Sequence, residues 1–298
     1  MKQMNYLLLL FLAQSLSINL PAQQAERPGF LYGIMSSLDS GAHISFIFGT
    51  LHHLDGNYLL KEHPTVLQLA TGAELMAGEA APGDAKEYHG TDWSKKNTGK
   101  SLRKLLTPAD FRYAGEEFRK ATGQSIEGYL YYYPSVLRSM IKWARSTNRP
   151  PEEIEYRIVP DLLFAHVAKS KGIPQVGLET VEQSIAAQLS VPLNDQAFLL
   201  VEGLDDAKID SIIAGMDTCY KAQDLDCFCK IMDLENYSYS GDEQMLKGRN
   251  LLWMEKLPAI LREKRAFIYA GSGHLCGEYG LLAMLRKEGF FIVPMRYP

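Results

Sequence analysis

Two copies of a Gly-x-x-His pattern are the residues best suited to chemistry in this sequence. They are Gly49-Thr50-Leu51-His52 and Gly271-Ser272-Gly273-His274. Each copy follows an apolar, aromatic-rich run of the kind that forms a buried strand, Ser45–Phe48 in the first case and Ala266–Ala270 in the second. Glycine lets the backbone turn sharply at a strand end, and open α/β sheets bind ligands at the carboxyl ends of their strands. We therefore expect both histidines to belong to one site.

Acidic residues near comparable strand ends are the next candidates, because imidazole and carboxylate together make divalent-metal sites. Glu74 lies between the two histidine motifs, and Glu179 ends a predicted strand, Ile173–Leu178. Glu79 takes the place of Glu74 as the candidate acid if the register of the strand in this segment is shifted. Both Glu74 and Glu179 could instead be solvated loop acids, and Glu179 could complement the amino end of the helix that follows it. The pattern leaves open which of the three is a ligand.

One predicted helix, Gln244–Lys264, carries a further set of polar candidates. Arg249, Asn250 and Trp253 are spaced so that they can share one face of that helix. An arginine that reaches a site can hold a carboxylate or stabilise an oxyanion, although spacing alone favours an ordinary surface arginine.

Other reaction types lack their sequence signatures. The chain has no Gly-x-Ser-x-Gly nucleophile elbow, no phosphate-binding Gly-x-x-x-x-Gly-Lys, no His-Glu-x-x-His and no Gly-x-Gly-x-x-Gly. Ser272 lies between two glycines but without the spacing of the elbow, so we do not expect it to be a nucleophile.

The elements that must position these residues predict an α/β fold. The two strand-glycine-histidine segments are about 220 residues apart and indicate two pseudo-repeated halves of one mixed central sheet. A helix over Pro160–Lys171 leads through Gly172 into the middle strand, as in α/β sheets. Further helices are predicted over Leu102–Thr122, Tyr129–Thr147, Val181–Leu189 and Asp206–Ala222, and an exposed loop over Ala80–Asn97. The first two form a helical insertion between the halves.

The amino-terminal segment is typical of a signal peptide. Lys2 precedes an unbroken apolar run, Tyr6–Leu12, and Leu20-Pro21-Ala22 ends in a small residue suited to cleavage. The run is shorter than the roughly 20 residues that span a bilayer. We predict a leader at residues 1–22 and a single domain over 23–298, exported to the periplasm or the extracellular space, with no stable membrane span after the leader is removed.

Composition and cysteine spacing limit the possible partners and the possible disulfides. The 298 residues are 46% hydrophobic and carry a net charge of -4, so no nucleic-acid partner is expected. The four cysteines, Cys219, Cys227, Cys229 and Cys276, include no CxxC pair. In an oxidising compartment Cys219 could pair with Cys227 or with Cys229, and free buried thiols are equally compatible with the spacing.

Taken in order, these motifs resemble the TraB/GumN family, which includes the Tiki proteins. The resemblance runs from about Leu31 to Pro294 and is carried by four segments: Phe48-Gly49-Thr50-Leu51-His52, Gly177-Leu178-Glu179-Thr180, Arg249-Asn250 with Trp253, and the stretch from Ala270 to Leu282 that contains His274. In the family an acid commonly precedes the Arg-Asn pair, where this sequence has Gly248.

The resemblance implies an exported, divalent-metal-dependent hydrolase that acts on peptides or proteins. In the Tiki branch both Gly-x-x-His elements, a glutamate and an arginine are needed for protease activity, and by similarity these roles fall on His52, His274, Glu74 and Arg249. His52, His274 and Glu74 would then hold manganese, cobalt or zinc, with Glu179 as general base or orienting residue and Arg249 stabilising an oxyanion. The alternative is a non-enzymatic cell-envelope protein that binds haem or a peptide in the same cleft.

Overall fold

The structure is a computed structural model that describes residues 29–36, 43–51, 54, 56–80, 98–147, 159–235 and 243–297. The predicted leader, His52 and nearly all of the predicted loop Ala80–Asn97 lie outside the described residues.

A six-stranded mixed sheet forms the centre of the described structure. Its strands are β1 (Leu31–Met35), β2 (Ser45–Thr50), β3 (Leu75–Ala80), β4 (Gln175–Glu179), β5 (Ala266–Gly271) and β6 (Phe291–Met295), in the order β4-β3-β5-β2-β1-β6. The four strands β4, β3, β5 and β2 are mutually parallel, and β1 is antiparallel to both β2 and β6. The predicted α/β fold with a mixed sheet is confirmed.

The two strands that precede the Gly-x-x-His motifs are direct neighbours at the middle of this sheet. Gly49 lies opposite Ala270 and Thr50 lies opposite Gly271, so the two strands end at the same level. Central parallel strands are covered on both faces, which explains why both sequences are nearly continuous apolar runs rather than alternating ones. The segments that follow them therefore leave the sheet side by side.

Thirteen helices surround the sheet within the described residues. They are α1 (Gly56–Glu62), α2 (Pro64–Thr71), α3 (Leu102–Leu105), α4 (Pro108–Thr122), α5 (Pro134–Thr147), α6 (Pro160–Lys171), α7 (Val181–Ser190), α8 (Leu193–Glu202), α9 (Asp206–Lys221), α10 (Leu225–Glu235), α11 (Arg249–Met254), α12 (Leu257–Glu263) and α13 (Leu281–Lys287). A π-helical turn, Glu243–Gly248, leads directly into α11.

Two predicted long helices are each divided in the structure. The predicted helix Leu102–Thr122 breaks into α3 and α4, because Thr107 caps a new helix through its bond to the Asp110 amide and Pro108 occupies the first turn. The predicted helix Gln244–Lys264 becomes the π-helical turn, α11 and α12, with a proline again in the first turn of the later helix.

Two buried apolar clusters stabilise the described structure. The larger one covers the sheet and includes Phe48, Phe164, Phe267 and Trp253. The smaller one joins α3, α4, α5 and α8, and it contains Leu102, Phe111, Phe118, Leu137, Ile141 and Leu200. The predicted helical insertion therefore has a core of its own beside the sheet. No helix in the described ranges is long and apolar enough to cross a membrane.

All four cysteines form disulfides. Cys219 pairs with Cys227, which is one of the two alternatives that the spacing left open, and Cys229 pairs with Cys276. The second disulfide joins α10 to the turn that carries His274, and its partners are 47 residues apart in sequence.

Candidate functional site

The carboxyl ends of the parallel strands bring four ionisable residues together. Glu79 is near the end of β3, Glu179 ends β4, and His274 lies in the short turn that follows β5. Arg249 reaches them from the first position of α11. The Glu79 carboxylate accepts a hydrogen bond of 2.7 Å from the backbone amide of Gly271, which ties β3 to the start of the histidine turn. We call these four residues the edge cluster.

Arg249 is the centre of the edge cluster. Its Nε donates to both carboxylate oxygens of Glu179, at 2.9 and 3.1 Å, and its Nη2 donates to Glu79 at 2.6 Å and also to Glu179. Only 8% of Arg249 and 2% of Glu179 are exposed. Burial opposes the charge of Arg249, but the hydrogen bonds and charges of Glu179 and Glu79 outweigh it and raise the pKa of the guanidinium.

Asn250 determines which nitrogen of His274 carries the proton. The Asn250 amide nitrogen donates to the backbone carbonyls of His274, at 3.1 Å, and of Tyr279, at 2.8 Å. Its oxygen lies 2.7 Å from His274 Nδ1. Because an amide oxygen can only accept, Nδ1 must carry the hydrogen. The lone pair of the neutral ring is therefore on Nε2.

Nε2 of His274 faces the other members of the edge cluster. It lies 3.2 Å from Arg249 Nη1, which donates to it, and 3.9 Å from a carboxylate oxygen of Glu79. A guanidinium nitrogen can only donate, so the contact with Arg249 agrees with the assignment of the lone pair to Nε2. His274 is 3% exposed, so the ring is held in a largely desolvated setting.

Trp253 covers the edge cluster from α11. Its indole ring packs against the imidazole of His274, with centroids 4.2 Å apart and planes at 34°, and its Nε1 donates to Glu179 at 3.1 Å. Arg249, Asn250 and Trp253 thus face the same site, as the helical spacing predicted. The guanidinium carbon of Arg249 also lies 5.0 Å from the centroid of the Trp253 ring.

The first Gly-x-x-His motif packs directly against the second. Ser272 donates its hydroxyl hydrogen to the Thr50 carbonyl at 2.8 Å, and Tyr220 donates to the Gly49 carbonyl at the same distance. A Cβ on Gly49 would lie 2.9 Å from both Leu275 and Ser272 side-chain atoms, so glycine is required by the close approach of the turn. Ser272 therefore has a structural contact, and the structure gives no reason to revise its exclusion as a nucleophile.

The structure brings together some of the predicted site residues and separates one. His274, Glu179 and Arg249 meet in the edge cluster, and His52 lies outside the described residues. Glu74 does not join them. It precedes β3 at the amino edge of the sheet, where its carboxylate accepts a 2.9 Å hydrogen bond from the backbone amide of Arg265. That hydrogen bond lowers the pKa of the exposed Glu74.

The assignment of Glu74 as a ligand therefore needs correction. Five residues of extended strand separate Glu74 from Glu79, which is roughly 16 Å at 3.3 Å per residue. Glu79, the alternative for a shifted register, is the carboxylate that reaches His274. A signal for it exists in the sequence, because Leu75–Gly78 is an apolar run that ends in an acid, as the run before Glu179 does.

The described donors are of the right types for a divalent cation but do not complete a site. No group of three or more His, Cys, Asp or Glu residues in the described part of the chain is arranged to hold a metal. Two donors at about 2.1 Å from one ion are at most about 4.2 Å apart, and His274 Nε2 and the Glu79 oxygen, at 3.9 Å, satisfy that limit. The two atoms could therefore occupy two positions of one coordination sphere. In this structure Arg249 contacts both of these residues.

The mixed sheet and the edge cluster define an α/β protein with its site at the carboxyl ends of parallel strands. The sequence matches the TraB/PrgY/gumN family over residues 34–294, which is most of the chain, so the protein belongs to this family. The family resemblance found in the sequence is confirmed. No curated protein and no solved structure is significantly similar to the chain.

Proposed function

We propose that this protein is an exported, divalent-metal-dependent hydrolase with peptide or protein substrates. The observation that carries the proposal is the unprotonated Nε2 of His274, which Asn250 directs toward Glu79 and Arg249 in a desolvated cluster at the sheet edge. A neutral imidazole whose other nitrogen donates to a fixed acceptor is the usual form of a histidine ligand.

His274 and Glu79 would hold the metal, together with His52, which is two residues along the chain from Thr50. Bound manganese, cobalt or zinc supplies polarisation of the scissile carbonyl and a lower pKa for a water molecule. Arg249 provides a permanent positive charge beside this position. In a water-poor site, its guanidinium donors stabilise an oxygen that becomes negative during hydrolysis.

Glu179 acts as an orienting residue rather than as a general base in this proposal. Both of its oxygens accept hydrogen bonds from Arg249, and one also accepts from Trp253. A carboxylate whose lone pairs are engaged in this way has little capacity to take a proton from water. The oxygens of Glu79 are engaged as well, by the Gly271 amide and by Arg249, and in this proposal Glu79 serves as a ligand beside His274.

Two further observations support export and a secreted environment. The amino-terminal segment has the features of a signal peptide, and the cysteines are paired in two disulfides. Disulfides persist in oxidising compartments and are rare in the cytosol of most organisms.

Metal binding to purified protein tests the proposal directly. Calorimetric titration with Mn²⁺, Co²⁺ and Zn²⁺ should show one site in the wild type, and the double variant His52→Ala with His274→Ala should lose it. His166→Ala is the matched control, because this histidine is an exposed residue of α6, whereas His274 is buried. Unchanged affinity in the double variant would reject the metal site.

Peptide cleavage tests the reaction itself. A peptide library incubated with each metal and read by mass spectrometry should give products that EDTA abolishes and that Arg249→Gln reduces strongly. Tight binding of haem or of a peptide, without turnover under any metal, would favour the binding protein instead.

A further inference from the structure

A cleft opens directly onto the edge cluster. It has a volume of about 470 Å³ and is lined on one side by α7 and on the other by the π-helical turn and α11. Glu179 and Arg249 are part of its lining and are buried, whereas Leu251, also in the lining, is 47% exposed. The cleft therefore runs from the surface to the residues that we propose to be catalytic or orienting.

The walls of the cleft are largely apolar and partly made of small residues. Ala187 on α7 faces Gly248, Leu251 and Leu252 on the opposite side. The lining residues Gln183 and Ser190 mark the extent of the α7 wall, which is roughly 10 Å at 1.5 Å per residue. This length corresponds to about three residues of extended chain.

The charges at the cleft largely balance one another. Its charged lining residues within the described structure are Glu179, Arg249 and Lys247. Arg249 pairs with Glu179 in the lining and with Glu79 directly behind it, so these three side chains and Lys247 carry no net charge together. Because Lys247 packs on the ring of Tyr279, at 4.2 Å from its centroid, its charge is held near the cleft. The cleft therefore does not select a ligand by net charge.

We infer that this cleft binds an extended segment of the peptide substrate that carries large apolar side chains, and that Ala187 sets the space available to them. The inference rests on the proposed function, because it identifies the segment next to the bond that the edge cluster would hydrolyse. We expect recognition by side chains rather than by strand pairing, because Glu179, the last residue of the edge strand β4, is the one strand residue among the described lining residues and the walls are otherwise helical. A volume of about 470 Å³ lies within the usual range for ligand sites.

Two neighbouring alanines on α7 give a matched test. Ala187→Phe fills the cleft, whereas Ala186→Phe places the same ring on the exposed side of the same helix. The probes are two fluorescein-labelled ten-residue peptides with N-methylated backbones that resist cleavage, one rich in Leu and Phe and the other with Ser and Gln in their place. Fluorescence anisotropy measures their affinity for the full-length mature protein.

The wild type should bind the apolar peptide at least tenfold more tightly than the polar one. Ala187→Phe should remove that preference and Ala186→Phe should retain it. Leu251→Glu, a change at an exposed position that does not threaten folding, should weaken binding of the apolar peptide as well. Equal binding of the two peptides by the wild type, or wild-type binding by both Ala187→Phe and Leu251→Glu, would overturn the inference.

The binding assay separates this inference from the proposed function. If the cleft selects the apolar peptide but no metal supports cleavage of any library peptide, the hydrolase proposal fails and the cleft assignment stands. If metal-dependent cleavage occurs and its sequence preference is the same in Ala187→Phe as in the wild type, the cleft assignment fails and the hydrolase proposal stands.

Discussion

Replacing Glu179 by glutamine should destabilise the protein strongly, although the two side chains have nearly the same size. The glutamine amide has only one acceptor oxygen, so its NH₂ group must face either Arg249 or Trp253, both of which donate to the carboxylate in the wild type. Donor would then face donor in a site where Glu179 is 2% exposed. The variant also leaves Arg249 with one carboxylate instead of two.

The size of the effect follows from these contacts. Removing one partner of a buried ion pair costs about 3–5 kcal/mol. Because Glu79 remains 2.6 Å from Arg249, the charge keeps a partner and the lower end, about 3 kcal/mol, applies. For a domain of this size, each kcal/mol of lost stability lowers the melting temperature by about 2–4 °C, so the melting temperature of the variant should fall by roughly 6–12 °C.

Urea unfolding followed by circular dichroism, under oxidising conditions that keep the disulfides closed, measures this loss. Glu255→Gln is the control, because Glu255 is an exposed acid at the end of α11 and the same change there should leave the unfolding midpoint in place. A loss for Glu179→Gln of under about 1 kcal/mol would refute the reasoning, since an exposed ion pair contributes that much.

Three further outcomes are expected. Gly49→Ala should cost about 1–3 kcal/mol of unfolding free energy, because its Cβ would lie 2.9 Å from two side-chain atoms, while Gly128→Ala, where nothing lies within 4 Å, should cost far less. Replacing Cys229 and Cys276 by serine should cost about 4 kcal/mol, given their sequence separation of 47 residues, and equal stability of this variant and the wild type in denaturant would contradict that expectation. Burial raises the pKa of the Tyr220 hydroxyl well above its usual 10.0. Above pH 10 the hydroxyl therefore ionises in the unfolded chain before it does in the folded protein, so its contribution to stability is complete below pH 10 and declines as the pH rises further. Tyr220→Phe should flatten this alkaline part of the stability profile, measured by thermal unfolding.

Much of the sheet edge could be predicted from the sequence because the pattern there is local. An apolar run, a glycine and a histidine within eight or nine residues define a strand and its exit, and the structure indeed has β2 and β5 at these positions. Glu179 was identified for the same reason, as an acid at the end of a short apolar run. The adjacent pairing of β2 with β5, which aligns the two exits, was not contained in any local signal.

The assignment of Glu74 failed because strand boundaries depend on pairing partners far away in the chain. β3 is fixed by its parallel neighbours, with Met76 opposite Gln175 and Phe267, and this register places Glu79 rather than Glu74 at the carboxyl edge. The Cys229–Cys276 disulfide was missed for a related reason, since proximity in the fold and not in the sequence brings α10 to the histidine turn.

The contacts of Arg249 connect the stability prediction to the proposed chemistry. A cation held by His274 and Glu79 would compete with Arg249 for Nε2 and with the Gly271 amide for Oε1 of Glu79, whereas the contact between Arg249 Nε and Glu179 involves neither of these atoms. Glu179 is thus the residue that can keep Arg249 in place when its hydrogen bond to His274 is lost. Glu79→Gln should therefore weaken metal binding in calorimetry with a smaller loss of stability, and Glu179→Gln should do the reverse. Equal effects of the two variants on both measurements would show that the carboxylates do not divide the roles in this way.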